Sequence, residues 1–267
     1  FDETTCALTI SGNGAMTDFK PPYGAPWSSY GHRSKIATVA IEDGITSIGD
    51  YAFSNCDGLK SITVPDSVET IDGYAFYDCD ALETVTLGNS LRSIGSNAFY
   101  SCNQLKSITI PDSVETIGSD AFNDCDALET VNLGSGLTSI GSYAFYNCDQ
   151  LKSIAIPDSV ETLGNNAFYY CDALETATLG SGLVSIGEAA FSYSKLKRID
   201  IPASVQNIGK HGFTCCYYLE QLVFLGDAPA IGESAFGNCA VLAWYPAGNT
   251  TWTADVLQNY GASSIRW

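Results

Sequence analysis

Leu59-Lys-Ser-Ile62-Thr-Val64-Pro65-Asp-Ser-Val68-Glu-Thr-Ile71-Asp-Gly-Tyr-Ala75-Phe76-Tyr-Asp-Cys79 is the stretch that decides the fold. Ile62 and Val64 alternate with Ser61 and Thr63, the period of two expected of a strand with one buried face. Pro65 ends the strand, because proline has no N–H to give a ladder. Leu59, Ile62, Val64, Val68, Ile71, Ala75, Phe76 and Cys79 form the inward-pointing set. In the next copy of the stretch, the step Ile94-Gly95 reads as a turn, and Ser96 to Cys102 suit one short helical turn.

The same frame returns along most of the chain. Ala-Phe recurs at Phe53, Phe76, Phe99, Phe122, Phe145, Phe168 and Phe191, each 23 residues after the last. Phe213 follows after 22, with Gly212 in place of Ala, and Phe236 after another 23. Nine units begin at Ile36, Leu59, Leu82, Leu105, Leu128, Leu151, Leu174, Leu196 and Leu219. No single unit can bury its apolar set alone, so the units fold as a stacked solenoid. A finer period of 46 alternates Pro65, Pro111, Pro157 and Pro202 with Gly88, Gly134, Gly180 and Gly226. In phase with it run Lys60, Glu83, Lys106, Glu129, Lys152, Glu175, Lys197 and Glu220. Equivalent positions in a parallel ladder lie about 4.8 Å apart, so this alternation makes opposite-charge neighbours of what would be a repulsive row. A slip by one unit would align like charges, so the row helps to specify register.

The frame Leu-x-x-Ile-x-Ile-Pro-x-Ser-Val-x-x-Ile-Gly-x-x-Ala-Phe-x-x-Cys, held over residues 36–241, resembles the BspA-like leucine-rich repeats of bacterial surface proteins. The resemblance implies a leucine-rich-repeat solenoid with a curved parallel sheet of short strands and short helical turns or irregular segments on the other side. It also implies a secreted or surface-attached interaction protein, extracellular or on the bacterial cell surface. Ser194 at a Cys position, the one-residue deletion beside it and Gly212 depart from the pattern.

Outside the units, residues 1–35 read as an N-terminal cap and 242–267 as a C-terminal cap, since solenoid ends need covers. Leu8 to Gly14 suggest a strand and tight turn, and Phe19 and Trp27 are placed to close the open end of the core. The closing segment is aromatic and irregular, with Tyr245, Trp252 and Trp267. A chain that begins at Phe1 without Met or a leader reads as a processed one.

Composition narrows the partners. Of 267 residues, 12 are Lys or Arg and 30 are Asp or Glu, a net charge of −18. That charge repels nucleic-acid phosphates and anionic lipid, and no apolar run is long enough for a membrane span. Cys56, Cys79, Cys102, Cys125, Cys148, Cys171, Cys216 and Cys239 all stand three residues after Phe. None is in a Cys-x-x-Cys pair and no His shares the period, which does not support zinc; the row reads as small buried core thiols. Cys6 and Cys215, outside the row, are expected to be free. Asp57, Asp80, Asp126, Asp149 and Asp172, with Asn103 in the same row, suggest loop hydrogen-bond acceptors rather than calcium ligands. No metal or cofactor is assigned.

Catalysis finds little footing. His32 and His211 are the only histidines, and nothing assembles a nucleophile, its base and an orienting group. The recurring carboxylate pairs Asp66/Glu69, Asp112/Glu115 and Asp158/Glu161 read as solvated surface, because a unique active site would interrupt the repeat. Two surfaces are candidates for binding. One is the outward strand face, with Thr63, Thr86, Thr109, Asn132, Thr178 and Arg198; its regularity fails near Arg198/Asp200. The other is an aromatic surface flanking the Phe row, with Tyr74, Tyr77, Tyr100, Tyr143, Tyr146 and Tyr169, tyrosine being a frequent contact residue for proteins and, by stacking, for sugars. The expected function is a non-enzymatic, adhesin-like module binding an extracellular protein or glycan. The alternatives are a ligand-free structural spacer and, more remotely, a glycan-directed enzyme. The residues specify no oligomeric state.

Overall fold

The computed structural model describes residues 1–20, 25–27, 32–259 and 265–267. Each repeat lays down a strand of three or four residues, as at Ser61–Thr63, which pairs in parallel with its equivalent in the next coil as far as Thr176–Thr178. Eight strands form the first sheet, from Ala7–Ile10 through Thr38–Ile41 and Ser61–Thr63 to Thr176–Thr178. The register is set by the repeat, with Ser61 opposite Thr84, Ile62 opposite Val85 and Thr63 opposite Thr86. Ala7–Ile10, from the segment before the first unit, pairs residue for residue with Thr38–Ile41 and so begins the sheet.

A second parallel sheet, absent from the sequence-based expectation, runs beside the first. It has ten strands, most of them two residues long, such as Thr70–Ile71, Ser93–Ile94 and Thr116–Ile117. Two residues are too few to show a period, so this ladder is invisible to pattern reading. The glycine that follows eight of these ten strands (Asp72 follows Thr70–Ile71, and Met16 follows Gly14–Ala15) is there for close approach. A Cβ on Gly141 would lie 2.6 Å from the carbonyl carbon of Gly118, and one on Gly164 would lie 2.4 Å from that of Gly141.

The expected helical turn around each Phe is not a helix. Tyr74, Phe76 and Asp78 donate their N–H groups to the carbonyls of Ser96, Ala98 and Tyr100 in the next coil, at 2.9, 2.7 and 2.8 Å. An intervening amide bonds locally, Tyr77 to Tyr74 at 3.2 Å. Inter-coil bonding therefore wins over the i→i−4 ladder, and the backbone alternates its handedness to reach it. The residues two before and two after Phe have φ near +57°, as at Tyr74, Asp78, Asn97, Asp120, Asp124, Asn147 and Asn166. Asn and Asp tolerate that region better than other side-chain-bearing residues, which is the signal in the sequence that marks this third ladder.

The core consists of columns. Nine Phe side chains from Phe53 to Phe236 are fully buried. Successive rings are nearly parallel with centroids 5.1–5.3 Å apart. The Cys column lies beside it, and its thiols do more than fill space. Cys79 Sγ donates to the Phe53 carbonyl of the preceding coil at 3.1 Å, Cys125 Sγ to that of Phe99 at 3.2 Å and Cys171 Sγ to that of Phe145 at 3.2 Å. All ten cysteines are free thiols. At the N-terminal end Trp27 stacks on Phe53 at 5.7 Å, donates to the Ala52 carbonyl at 2.8 Å and meets Phe19 edge-on. At the other end Trp252, Tyr245, Trp267 and Phe224 cluster. The closing segment is more regular than expected: Val241–Trp244 and Ile265–Arg266 pair as strands, and Ala254–Asn259 form a short helix.

The period of 46 has a steric origin. Each Pro coil sets its carbonyl where the next coil carries Gly: a Cβ on Gly134 would stand 2.2 Å from the Pro111 oxygen, and one on Gly180 2.2 Å from that of Pro157. The Asp after each Pro caps the same neighbour. Asp66 Oδ1 accepts from the Asn89 N–H at 2.7 Å, Asp112 from Ser135 at 2.7 Å and Asp158 from Ser181 at 2.6 Å.

Candidate functional site

The strand-face candidates Thr63, Thr86, Thr109, Asn132 and Thr178 all lie exposed on the eight-stranded sheet. Thr63 pairs with Thr86, and Asn132 with Thr109, to whose hydroxyl it donates from Nδ2 at 3.3 Å. Arg198 does not join them. It opens a separate four-stranded sheet of Arg198–Ile201, Gln221–Phe224, Val241–Trp244 and Ile265–Arg266. Its guanidinium reaches Asp200 at 2.8 and 3.0 Å and the Gln221 amide oxygen at 2.9 Å. Between the two sheets lies a hollow of about 410 Å³ lined by Thr176, Thr178, Arg198, Asp200 and Leu225. The break has a local cause: Ser194-Lys195-Leu196 is one residue shorter than Cys171-Asp172-Ala173-Leu174.

The tyrosine surface divides into two patches. Tyr51 and Tyr74 stack at 4.5 Å and 6°, and Tyr77 and Tyr100 at 5.0 Å and 11°. Tyr143, Tyr146 and Tyr169 form the second patch, with Tyr146 and Tyr169 at 5.4 Å and 5°. Asp120, Asn123 and Asp124 occupy the coil between. Tyr100 Oη donates to Asp124 Oδ2 at 2.9 Å, and Asn147 Nδ2 to Oδ1 at 2.9 Å. Because the rings stack in pairs, each paired ring has one face covered by its partner. Stacking on a sugar is thereby restricted to the outer face of each pair. Burial, and for Tyr100 the Asp124 carboxylate beside it, pushes the phenols of Tyr100 and Tyr169 up to about 12.

The acids have structural partners. The hydrogen bonds from Ser135 and Ser181 hold the carboxyls of Asp112 and Asp158 below the usual range. Partial burial, followed by neighbouring carboxylates, raises those of Asp57, Asp126 and Asp149. Asp80 accepts from Asn103 Nδ2 at 2.8 Å. Lys152 pairs with Glu129 at 2.6 Å and Lys197 with Glu175 at 2.7 Å, two neighbours in the alternating row. Among the described residues, no group of three or more His, Cys, Asp or Glu is arranged to hold a metal ion.

Sequence reasoning missed a second hollow, on the turn side of the same break. It measures about 330 Å³ and is lined by residues including Asn166, Tyr169, Glu188, Tyr193, His211 and Thr214. Ala189 and Ser192 stand where the coils of Phe76 to Phe168 carry Tyr, Asn or Asp at the equivalent positions. The signal in the sequence is the break in period at Ser194.

These features define a class: a parallel β-solenoid of leucine-rich repeats. The chain belongs to the BspA type leucine rich repeat region family, which it matches over residues 28–151 and 138–249 with six copies. It is similar to a leucine-rich repeat protein from Bacteroides ovatus ATCC 8483, at 30% identity and a TM-score of 0.76, over 90% of this chain and 63% of that one. It is also similar to a leucine-rich repeat protein from Eubacterium ventriosum ATCC 27560, at 26% identity and 0.52, over 90% of this chain and 74% of that one. The T. pallidum leucine rich repeat protein matches at 27% identity and 0.53, over 67% of this chain and 82% of that one. The chain thus spans less than two thirds of the length of the B. ovatus protein. A comparison with curated proteins finds no match. Among the described residues, no helix is long and apolar enough to cross a membrane.

Proposed function

We propose that the chain is a non-enzymatic, adhesin-like module displayed outside a bacterial cell, where its repeat surface binds an extracellular protein or glycan. Family membership supports the setting, and the extended surface of a solenoid supports the use. One observation carries the reading: bonding is periodic within the core and its ladders, while the outward rows are free to vary. Thr63, Thr86, Thr109, Asn132 and Thr178 on one side, and Tyr74, Tyr77, Tyr100, Tyr143, Tyr146 and Tyr169 on the other, are displayed on that rigid core. Arg198, held by Asp200, borders the first set. Residues 1–35 and 242–267 serve as caps for a solenoid of residues 36–241. The net charge of −18 turns the surface away from nucleic acid and anionic membrane.

The near-identity of the coils between Leu59 and Ile186 favours a second reading, a spacer that binds nothing. Paired arrays of extracellular matrix proteins and of glycans separate the two. Saturable binding to any arrayed molecule supports the interaction module. A folded chain with no hit on either array leaves the spacer.

A further inference from the structure

The break near residue 191 keeps the core and changes what stands above it. Phe191 stacks on Phe168 and Phe213 at 5.3 Å each, as in any other coil. Above it, Ala189 and Ser192 are small and buried where neighbouring coils place larger side chains. Tyr169 is consequently the last ring of its stack. Tyr146 covers one of its faces, while on the side of Ser192 no ring lies parallel to it; Tyr170 meets it edge-on at 4.5 Å and 80°, and Tyr193 at 5.4 Å and 66°. The hollow of about 330 Å³ opens at this point, a volume suited to one six-membered ring.

Its polar lining is oriented. Thr214 Oγ1 donates its single hydrogen to the Ser234 carbonyl at 2.5 Å. It lies 3.2 Å from His211 Nδ1, and having spent its proton it accepts there. The imidazole therefore carries its proton on Nδ1 and offers Nε2 as an acceptor. Ser192 Oγ donates to the His211 carbonyl at 2.5 Å and anchors the same residue from below. His211 sits at φ 59°, in the left-handed region that Tyr74, Asn97, Asp120, Tyr143 and Asn166 take at the equivalent position, so its backbone position is set by the repeat. The Glu188 carboxylate and the Asn166 amide complete the rim.

The lining holds one carboxylate, Glu188, and no Lys or Arg, so nothing in it pairs an anion, and hydroxyl donors suit the carboxylate. Lys210 is paired with Glu233 at 3.0 Å. A pocket with tyrosine rings in its wall, a fixed imidazole acceptor, a carboxylate and an amide matches a pyranose, which offers C–H groups to the rings and hydroxyls to the acceptors. We infer that the hollow formed by Tyr169, Tyr193, His211, Glu188 and Asn166 is a subsite for one neutral sugar residue of a glycan. The inference rests on the reading of the chain as an interaction module and names the partner of one patch.

The test is saturation-transfer NMR on the whole chain with the methyl glycosides of glucose, galactose, mannose and N-acetylglucosamine. Arginine amide and sialic acid serve as cationic and anionic comparisons, each at about 20 mM, above the millimolar Kd expected of a single-residue site. Two variants report on the hollow. Ser192→Tyr fills it with the ring that Tyr146 and Tyr169 supply in earlier coils, and His211→Asn removes the Nε2 acceptor while keeping a residue that tolerates positive φ. The expected result is transfer to at least one neutral glycoside, abolished by Ser192→Tyr and weakened roughly tenfold by His211→Asn, with unchanged melting of His211→Asn. Equal binding to both variants would overturn the subsite while leaving the interaction module intact. Binding of arginine amide alone would replace it with a protein contact. Absence of transfer to every neutral glycoside would also overturn it, and the arrays then decide the broader reading independently. If Ser192→Tyr fails to fold, the His211→Asn result still decides.

Discussion

The coils from residue 59 to 186 and the segment 188–216 share a core but differ in what they do with their surface. In the first region the core and ladder rows repeat: Phe on Phe, thiol to carbonyl, strand beside strand. In the second the Phe column continues at the same 5.3 Å, and the two-residue ladder holds its register with Ser185 opposite Asn207 and Ile186 opposite Ile208. Only the outer strand ladder stops, between Thr178 and Arg198, where the loop from Ser194 to Leu196 is one residue short. The contrast shows which parts of the repeat are coupled. A deletion is absorbed in the loop entering the outer strand and leaves the hollow between the two sheets, while the hollow beside His211 comes from the small Ala189 and Ser192.

The largest effect that would sharpen this comparison is collective. Burial pushes the thiols of Cys56, Cys125 and Cys171 up to about 12 from an ordinary 9.0. Their folded-state values lie above those of the unfolded chain, so their contribution is complete below about pH 9 and is lost as the pH rises towards 12. The melting temperature should fall steadily across that window, with the tyrosines Tyr100 and Tyr169 adding to the loss. A flat profile between pH 9 and 12 would show the thiol column is not buried. Thiol titration of the native chain should find Cys6, the one cysteine not buried, reacting before the rest.

Next in size are the Phe column substitutions. Phe122→Ala and Phe191→Ala should each cost about 3–5 kcal/mol by chemical denaturation, because both rings are fully buried between two neighbours. A much smaller cost at Phe191 would mean that the break reaches the core. Glycine gives the opposite contrast. Gly134→Ala should cost about 1–3 kcal/mol, since its Cβ would meet the Pro111 carbonyl. Gly212→Ala, which restores the residue of other coils and meets first the Ile208 side chain at 3.0 Å, should be tolerated within about 0.5 kcal/mol.

The smallest effect separates two roles for cysteine. If the thiol acts as a donor to the Phe99 carbonyl, Cys125→Ser should be more stable than Cys125→Ala by about 1 kcal/mol. Equal or reversed stabilities would restore the purely apolar role read from the sequence. Ser194, which stands at a Cys position and contacts Cys216 Sγ at 3.2 Å, shows that a hydroxyl is accommodated in the column.

Much of this was legible in the residues because burial acts once per coil. Phe, Cys, Leu and Ile recur at fixed spacing, and the strand Ser61–Thr63 follows from its alternation. The second sheet was not legible, since Thr70–Ile71 is shorter than any period. Nor was the third ladder, where Tyr74 and Asp78 take positive φ to reach the next coil; the Asn and Asp at those positions carried the only hint. The face-to-face use of the tyrosines was also hidden. Composition reveals exposed aromatics, but it takes the 4.5 Å stacking of Tyr51 on Tyr74 to show that their faces are occupied. The hollow beside His211 arises from what is missing at Ala189 and Ser192, and absence of a side chain has no pattern of its own.

The most direct test of the account grafts the regular coil onto the break. Residues 188–194 are replaced by the sequence of 142–148, and the grafted and original chains are compared for melting and for binding on the same glycan and protein arrays. The account predicts equal or higher thermal stability, with loss of the glycan hits shown by the original chain. Undiminished glycan binding by a fully folded graft would contradict it.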